Sequence, residues 1–477
     1  MRGGASNVSA ADRRTQLALG GAVLAGMALV SAYAIVGEQL VVVGFILLLL
    51  AAPFLIALSL RSPYLFPYSL YVLLVPFDNL LRIGPGGTLT KLMGFLSAVA
   101  IATVIVREKR IVRPPVTVFV AAGYALWTLA SVFWAYNVPA AIVDAQTMFS
   151  LVLMYFVLSA APIAERDLRA ICACIVASGV AASAYAFVAF HGVVDAQEAS
   201  RVVVNVAGRT IDPNDFANSL LPSLALALVA FVNAKSIRTA LIMLVAVAVI
   251  MEGIIVSVSR EGILGATVIA LVVVLFSRRR VIALAIALPA FIIVPIAVPS
   301  IGMRWMQAFS TGGAGRTSIW AVDYAAWLQH PIIGWGAGAG TIAYDSNLLR
   351  VAPKLFYGWS RPPHNVPLHS MVDMGIVGLL LIVAAYLLTY KQLFPIRRDD
   401  PLHDLRVGLL AAFAALGVVS LFIDMSGAKY LWIVIAAIAQ LRSVTMMRPD
   451  AAAPAIVYEP PPRTRPVGVP AAAATRT

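Results

Sequence analysis

Arg260, Arg316 and His364 are the side chains in this sequence best suited to chemistry, and each stands where an apolar run meets polar residues. Arg260 lies in Ser257-Val258-Ser259-Arg260-Glu261-Gly262, between two apolar runs that leave almost no room for a loop. A guanidinium so close to hydrocarbon is costly unless paired or solvated. It reads either as an arginine snorkelling or paired at a helix end, with Glu261 and Glu252 as available partners, or as a ligand for an anion. Arg316 follows Gly312-Gly313-Ala314-Gly315 and opens a helical pattern from Thr317 to Leu328. A cation at a helix N-terminus works against the helix dipole, so an anion nearby would explain it better. His364 follows Arg361-Pro362-Pro363 at the mouth of the next apolar run. Its unperturbed pKa of ~6.5 suits a general base near neutrality, while the structural alternative is a capping or interfacial histidine.

The residues around these three are less specific. Trp320, Tyr324 and Trp327 fall at i, i+4 and i+7 and form an aromatic stripe, which reads as packing at a membrane interface or as a platform beside a lipid or sugar. Gly334, Gly336, Gly338 and Gly340 have the spacing of a phosphate cradle, but no strand precedes them and no Lys-Ser/Thr follows, so a flexible turn is the better reading. His369 and Asp373 share a helix face as i and i+4, and structure is favoured over function for that pair. Asp212 or Asn214 caps a helix that Pro213 opens. Between 300 and 363 the acids are Asp323 and Asp345, against Arg304, Arg316, Arg350, Lys354 and Arg361. A divalent metal needs clustered carboxylates, so this stretch reads as a site where arginines, without metal or other cofactor, handle an anion.

The elements that must position these residues are membrane spans. The chain is 61% hydrophobic and 12% charged, against roughly 25% charged in a soluble domain. Apolar runs of about 18 residues or more recur throughout, long enough to cross hydrocarbon as helices, and they do not alternate as barrel strands do. The fold class is therefore all-α: a polytopic membrane protein with 12–14 transmembrane helices and one long periplasmic loop containing short helices. Spans are expected at 16–36, 40–60, 63–77, 89–106, 115–134, 144–163, 168–190, 213–233, 237–257, 261–276, 281–299, 366–389, 405–423 and 428–445. The short pieces 63–77, broken by Pro67, and 261–276 leave open a count of twelve with re-entrant segments. The organisation is then an N-terminal membrane region (1–299), a periplasmic loop (300–365), C-terminal spans (366–445) and a disordered cytoplasmic tail (446–477). The run at 16–36 is too long for a signal-peptide core and reads as a first span.

With the N-terminus inside, 24 of the 35 Lys and Arg fall on the cytoplasmic side, as basic loops demand. The net charge of +13 is thereby explained by topology rather than by nucleic acid. Orientation also puts the long loop and the Arg260 turn outside the cytoplasm. Cys172 and Cys174 lie two apart on a helical run and point to different faces, so they neither bridge nor chelate.

The ordered set Pro213-Asn214-Asp215-Phe216-Ala217, Ser259-Arg260, Gly315-Arg316 with Trp320, Pro331-Ile332-Ile333-Gly334-Trp335-Gly336-Ala337-Gly338, and His364-Asn365 followed by Gly375 and Gly378 resembles the bacterial O-antigen ligase family, with its related polymerases and protein O-oligosaccharyltransferases. The resemblance covers about residues 205–380. It implies about twelve spans in the bacterial inner membrane and a glycan donor carried on undecaprenyl diphosphate. Transfer would take place at the periplasmic face, without metal, to a glycan or a lipid A–core hydroxyl. It also implies catalytic roles for two arginines and a histidine, which map onto Arg260, Arg316 and His364. Arg209, Asn214, Trp320, Arg361 and Asn365 are expected to bind substrate. Ligase and polymerase share these motifs. A flippase for an anionic lipid-linked substrate is the reading from another class, and it would call for charges at mid-membrane or inverted repeats.

Overall fold

A computed structural model describes residues 52–78, 80–81, 88–189, 205–206, 209–210, 212–297, 316–353 and 364–447. The expected span at 16–36, most of 40–60, Arg361, Gly315 and the tail from 448 onward lie outside the described residues. So do residues 298–315 and 354–363 of the long loop.

The described chain is helical apart from a minimal antiparallel ladder pairing Asn205 with Thr210 and Val206 with Arg209. Helices α1 (Ala52–Arg61) and α2 (Tyr64–Phe77) come first. They are followed by α3 (Leu89–Glu108), α4 (Val116–Ser131), α5 (Val138–Ala160), α6 (Glu165–Ala189), α7 (Pro213–Val232), α8 (Ile237–Val256), α9 (Arg260–Phe276) and α10 (Arg280–Ala297). The loop contributes α11 (Arg316–Trp327) and α12 (Gly340–Val351), and the chain closes with α13 (Val366–Leu393), α14 (His403–Val419) and α15 (Lys429–Met446). Six described helices, α3, α5, α6, α7, α8 and α13, are long and apolar enough to cross a membrane. The protein is an all-α polytopic membrane protein.

Helix boundaries follow the sequence signals. Asp212 Oδ1 accepts from the Asn214 and Asp215 amides at 2.7 and 3.3 Å, with Pro213 in the first turn where its missing N–H costs nothing. Ser259 caps α9 through the Gly262 amide at 3.1 Å, and Asn365 caps α13 through the Leu368 amide at 2.8 Å. The element α2 departs from a regular span. It is a wide turn at Tyr64–Tyr68, a short helix at Ser69–Leu74 and a 3-10 turn at Val75–Phe77, with Phe66 in an extended conformation before Pro67. Proline cannot donate to the helix ladder and forces its predecessor out of the helical region.

The core lies between α7, α9 and α14, which pack on one another. In its most apolar window α7 is 78% buried, whereas α8 is 22% buried and leaves its apolar face outward. Close approach depends on small residues. A Cβ on Gly262 would lie 2.7 Å from the Ala217 Cβ, so α9 is seated directly on α7 beside Arg260. The helices run back and forth, which sorts the polar termini into two ends. One end holds Arg278 on the Asp400 carbonyl (2.7 Å), Arg279 on Ala234 (3.0 Å), Arg169 on Pro401 (3.4 Å) and Arg442 on Arg113 (3.0 Å). The other end collects the starts of α7, α9, α11 and α13 and the 420–428 turn.

Candidate active site

At that second end, the turn between α8 and α9 is tight enough to force Val258 to φ +50°, a conformation a β-branched residue adopts only under constraint. It is held by Ser257 Oγ accepting from the Ser259 amide at 3.2 Å, and by the Ser259 hydroxyl bridging the Gly262 amide and Glu261 Oε2, at 3.1 and 3.2 Å. The turn presents Arg260 and Glu261 at the start of α9. Glu261 has a side chain only 4% exposed and forms an ion pair with Arg316, whose side chain is 17% exposed. The anion that Arg316 calls for at its helix start is thus supplied by the α9 terminus. Glu261, which the sequence offers to Arg260, is the residue that joins the two arginine-bearing segments. A guanidinium carries five N–H donors, so the pairing leaves Arg316 further donors.

His364 also sits in the left-handed region, at φ +48°. Such a conformation in a bulky side chain is retained where the surroundings over-determine it. Those surroundings are a tether to the 420–428 turn: the Val366 amide donates to the Ser420 carbonyl at 2.8 Å, and the Asn365 side-chain amide donates to the Leu421 carbonyl at 3.0 Å. Burial and the Arg316 charge both hold the His364 imidazole below its ordinary pKa, against the opposing pull of Asp212, Glu261 and Asp424. At neutral pH the ring is therefore uncharged, with a nitrogen lone pair available to take a proton.

The structure thus brings Arg316, Glu261, Asp212 and Asp424 within electrostatic reach of His364, with Arg260 acting on Glu261. Asn214 lies at the start of α7 beside the Asp212 cap. Asn365 is occupied in both directions, as cap and as tether. Trp320 packs its ring 6.5 Å from Phe422 of the 420–428 turn, while Tyr324 and Trp327 stack at 5.4 Å. Arg209 lies on the short ladder.

The glycine-spaced stretch is a locked turn rather than a flexible one. Gly334, Gly336 and Gly338 adopt φ of +71°, +91° and +69°, the region only glycine enters freely. The amides of Trp335 and Gly336 donate to Val372 and Asp373 carbonyls, both at 2.8 Å. Gly338 donates to Asp373 Oδ2 at 2.8 Å, and Ala337 to Ser131 Oγ at 3.1 Å. These N–H groups are spent on protein, so the turn cradles no phosphate; it grips the kink of α13 at Gly375, φ +66°, and so fixes the helix that His364 precedes. His369 Nε2 stands 3.4 Å from Asp373 and 3.5 Å from Asp424.

Several acids near the site carry no role in the sequence motifs. Asp323 of α11 is fully buried, with neither oxygen bonded among the described residues, and burial pushes its carboxyl up to about 8. Asp424 at the site and the Asp78–Lys429 pair at 2.5 Å also stand outside the sequence motifs, whereas Asp215 lies within Pro213-Asn214-Asp215-Phe216-Ala217. The available signal was their position: lone ionisable residues at the ends of apolar runs are rarely accidental.

Residues 223–383 match the family model described as O-antigen ligase. Over that stretch the chain is similar to O-antigen ligases. No curated protein matches the chain. The O-antigen ligase stretch contains Arg260, Arg316, Trp320, Arg361, His364 and Asn365, while Arg209 and Asn214 lie before it.

Proposed function

We propose that this protein transfers a glycan from undecaprenyl diphosphate to an acceptor hydroxyl, by inversion and without a metal, at the periplasmic face of a bacterial inner membrane. The observation that carries the reading is His364 held within electrostatic reach of a guanidinium anchored by a buried carboxylate. The match of residues 223–383 to the O-antigen ligase family model supports the substrate class, a lipid-linked glycan. The basic residues gathered at the opposite end support a cytoplasmic position for that end and for both termini.

In the proposed step the acceptor oxygen attacks the donor's anomeric carbon, and the bond from that carbon to the diphosphate oxygen breaks. The electron pair leaves with undecaprenyl diphosphate, and the acceptor proton passes to His364. Arg260 and Arg316 bind the diphosphate and stabilise the charge growing on it. Their planar forks match phosphate oxygens in pairs, which lysine does not reproduce. The broken phosphate ester bond supplies the driving energy, so no nucleotide enters.

A knockout strain complemented with His364→Ala, Arg316→Lys or Arg260→Lys tests this, with surface polysaccharide read on gels and protein level on blots. Loss of transfer by about 10²–10⁴ is expected for His364→Ala. Full activity from all three stable variants sinks the mechanism. Disappearance of lipid A-linked chains with the lipid-linked polymer retained identifies a ligase; chains cut to single repeats identify a polymerase.

A further inference from the structure

A cavity of about 300 Å³ opens beside the 420–428 turn, between the Val75–Phe77 turn, the start of α7 and the start of α15. Its volume sits at the small end of the ~300–1,000 Å³ range of ligand sites, the scale of one sugar ring. Three carboxylates, Asp78, Asp215 and Asp424, line it against one ammonium, Lys429. Lys429 is spent on Asp78 at 2.5 Å and on Thr90 at 2.7 Å. Asp215 is paired with no cation among the described residues. Asp424 Oδ1 accepts from the Ser426 amide and hydroxyl at 3.1 and 3.0 Å, and Oδ2 faces His369 at 3.5 Å. Tyr430 contributes a buried hydroxyl with no hydrogen-bond partner, a group that costs free energy unless something supplies the bond.

This cavity adjoins the site through one turn. The turn that carries Asp424 is the one tethered to Asn365 and Val366, and Asp424 lies within electrostatic reach of His364. Charge near the histidine is unevenly shared: Arg316 is paired with Glu261, while the cavity carries three carboxylates against one ammonium. A diphosphate is repelled from the acidic part. Sugar hydroxyls, by contrast, donate readily to carboxylates, and such charge-assisted bonds are stronger than neutral ones.

We propose that this cavity is the acceptor subsite, holding the terminal sugar of the acceptor with its hydroxyls donated to Asp215 and Asp424 and one bonded to Tyr430, and that this sugar is neutral or amine-bearing, not a uronic acid or a sugar phosphate. The inference rests on the proposed transfer reaction and adds to it a place and a charge class for the acceptor.

Membrane vesicles of the native bacterium carry their own donor and acceptor, and their lipid-linked glycan transfer can be challenged with methyl glucoside, methyl glucosaminide and methyl glucuronide. Inhibition by the first two and not by the glucuronide is expected. Vesicles in which Asp215→Asn or Tyr430→Phe replaces the wild-type chain should transfer about 10–100-fold more slowly at limiting acceptor for loss of a bond to a charged group, less for the hydroxyl. The purified full-length variants should retain as much undecaprenyl diphosphate-linked donor as wild type, counted as phosphate per protein. Equal inhibition by the glucuronide, inhibition by none of the three, unchanged transfer in both variants, or donor retention falling in parallel with transfer overturns the assignment. Wild-type vesicles that transfer nothing refute the underlying reaction, and the assignment with it.

Discussion

The pairing of Arg316 with Glu261 allows its part in stability to be separated from its proposed part in the chemistry. Glu261 is almost wholly buried. Arg316→Gln leaves that carboxylate with only the weaker pull of Arg260, and breaking a buried pair from one side costs up to about 3–5 kcal/mol. Glu261→Gln strands the guanidinium instead, at a smaller cost because Arg316 keeps more contact with water (17% against 4% exposed). In the double variant two amides face each other, no charge is buried unpaired, and most of the lost stability should return. Activity should behave differently. If Arg316 stabilises the departing diphosphate, both Arg316→Gln and the double variant lose about 10²–10³ in rate, as when one donor to a developing oxyanion is removed. Stability is read as the temperature at which half the purified protein leaves the monodisperse peak on size exclusion, and activity as glycan transfer in native vesicles. A double variant that recovers both stability and transfer would show that Arg316 serves only to hold Glu261, and the catalytic assignment would fail.

The depressed pKa of His364 puts the acid limb of the pH–rate profile below pH ~6.5, with a flat rate above it. Arg316→Gln removes a charge that lowers that pKa, so the limb moves up; an unmoved limb in a variant with residual activity excludes His364 as the titrating base. Asp323 is protonated when folded and ionised when unfolded between pH ~4 and about 8. Stability should therefore decline as pH rises through that window, and Asp323→Asn should flatten the decline, as measured by thermal unfolding across pH. Gly336 has φ +91°, and a Cβ there would lie 2.2 Å from the Ala135 Cα, so Gly336→Ala should lower folded protein yield and transfer together. An alanine variant of wild-type stability would show that the turn does not grip α13.

Much of the fold was legible because a membrane simplifies the code. Hydrocarbon demands long apolar helices, and the expected spans at 89–106, 213–233, 237–257 and 261–276 agree with α3, α7, α8 and α9 to within two residues. Caps were equally local, as Asp212 shows. Arg260, Arg316 and His364 stood out for the same reason, since polar groups beside apolar runs need an explanation. The segment at 63–77 was less legible: Pro67 signalled a break, but only packing around Tyr68, fully buried, decided how the break is accommodated.

Sequence by itself determined that this chain is a helical membrane protein and which residues cap its helices, and it singled out three side chains as candidates to handle an anion and a proton. Tertiary structure alone decided how those side chains meet. Glu261 and Arg316 are 55 residues apart in sequence, and no local pattern states that they pair. Nor does any pattern state that the glycine turn spends its amides on Asp373, or that Asp215, Asp424 and Tyr430 share one cavity. Composition and periodicity report each residue's relation to water and lipid; partnership depends on the register between helices, which close packing at positions such as Gly262 and Ala217 sets.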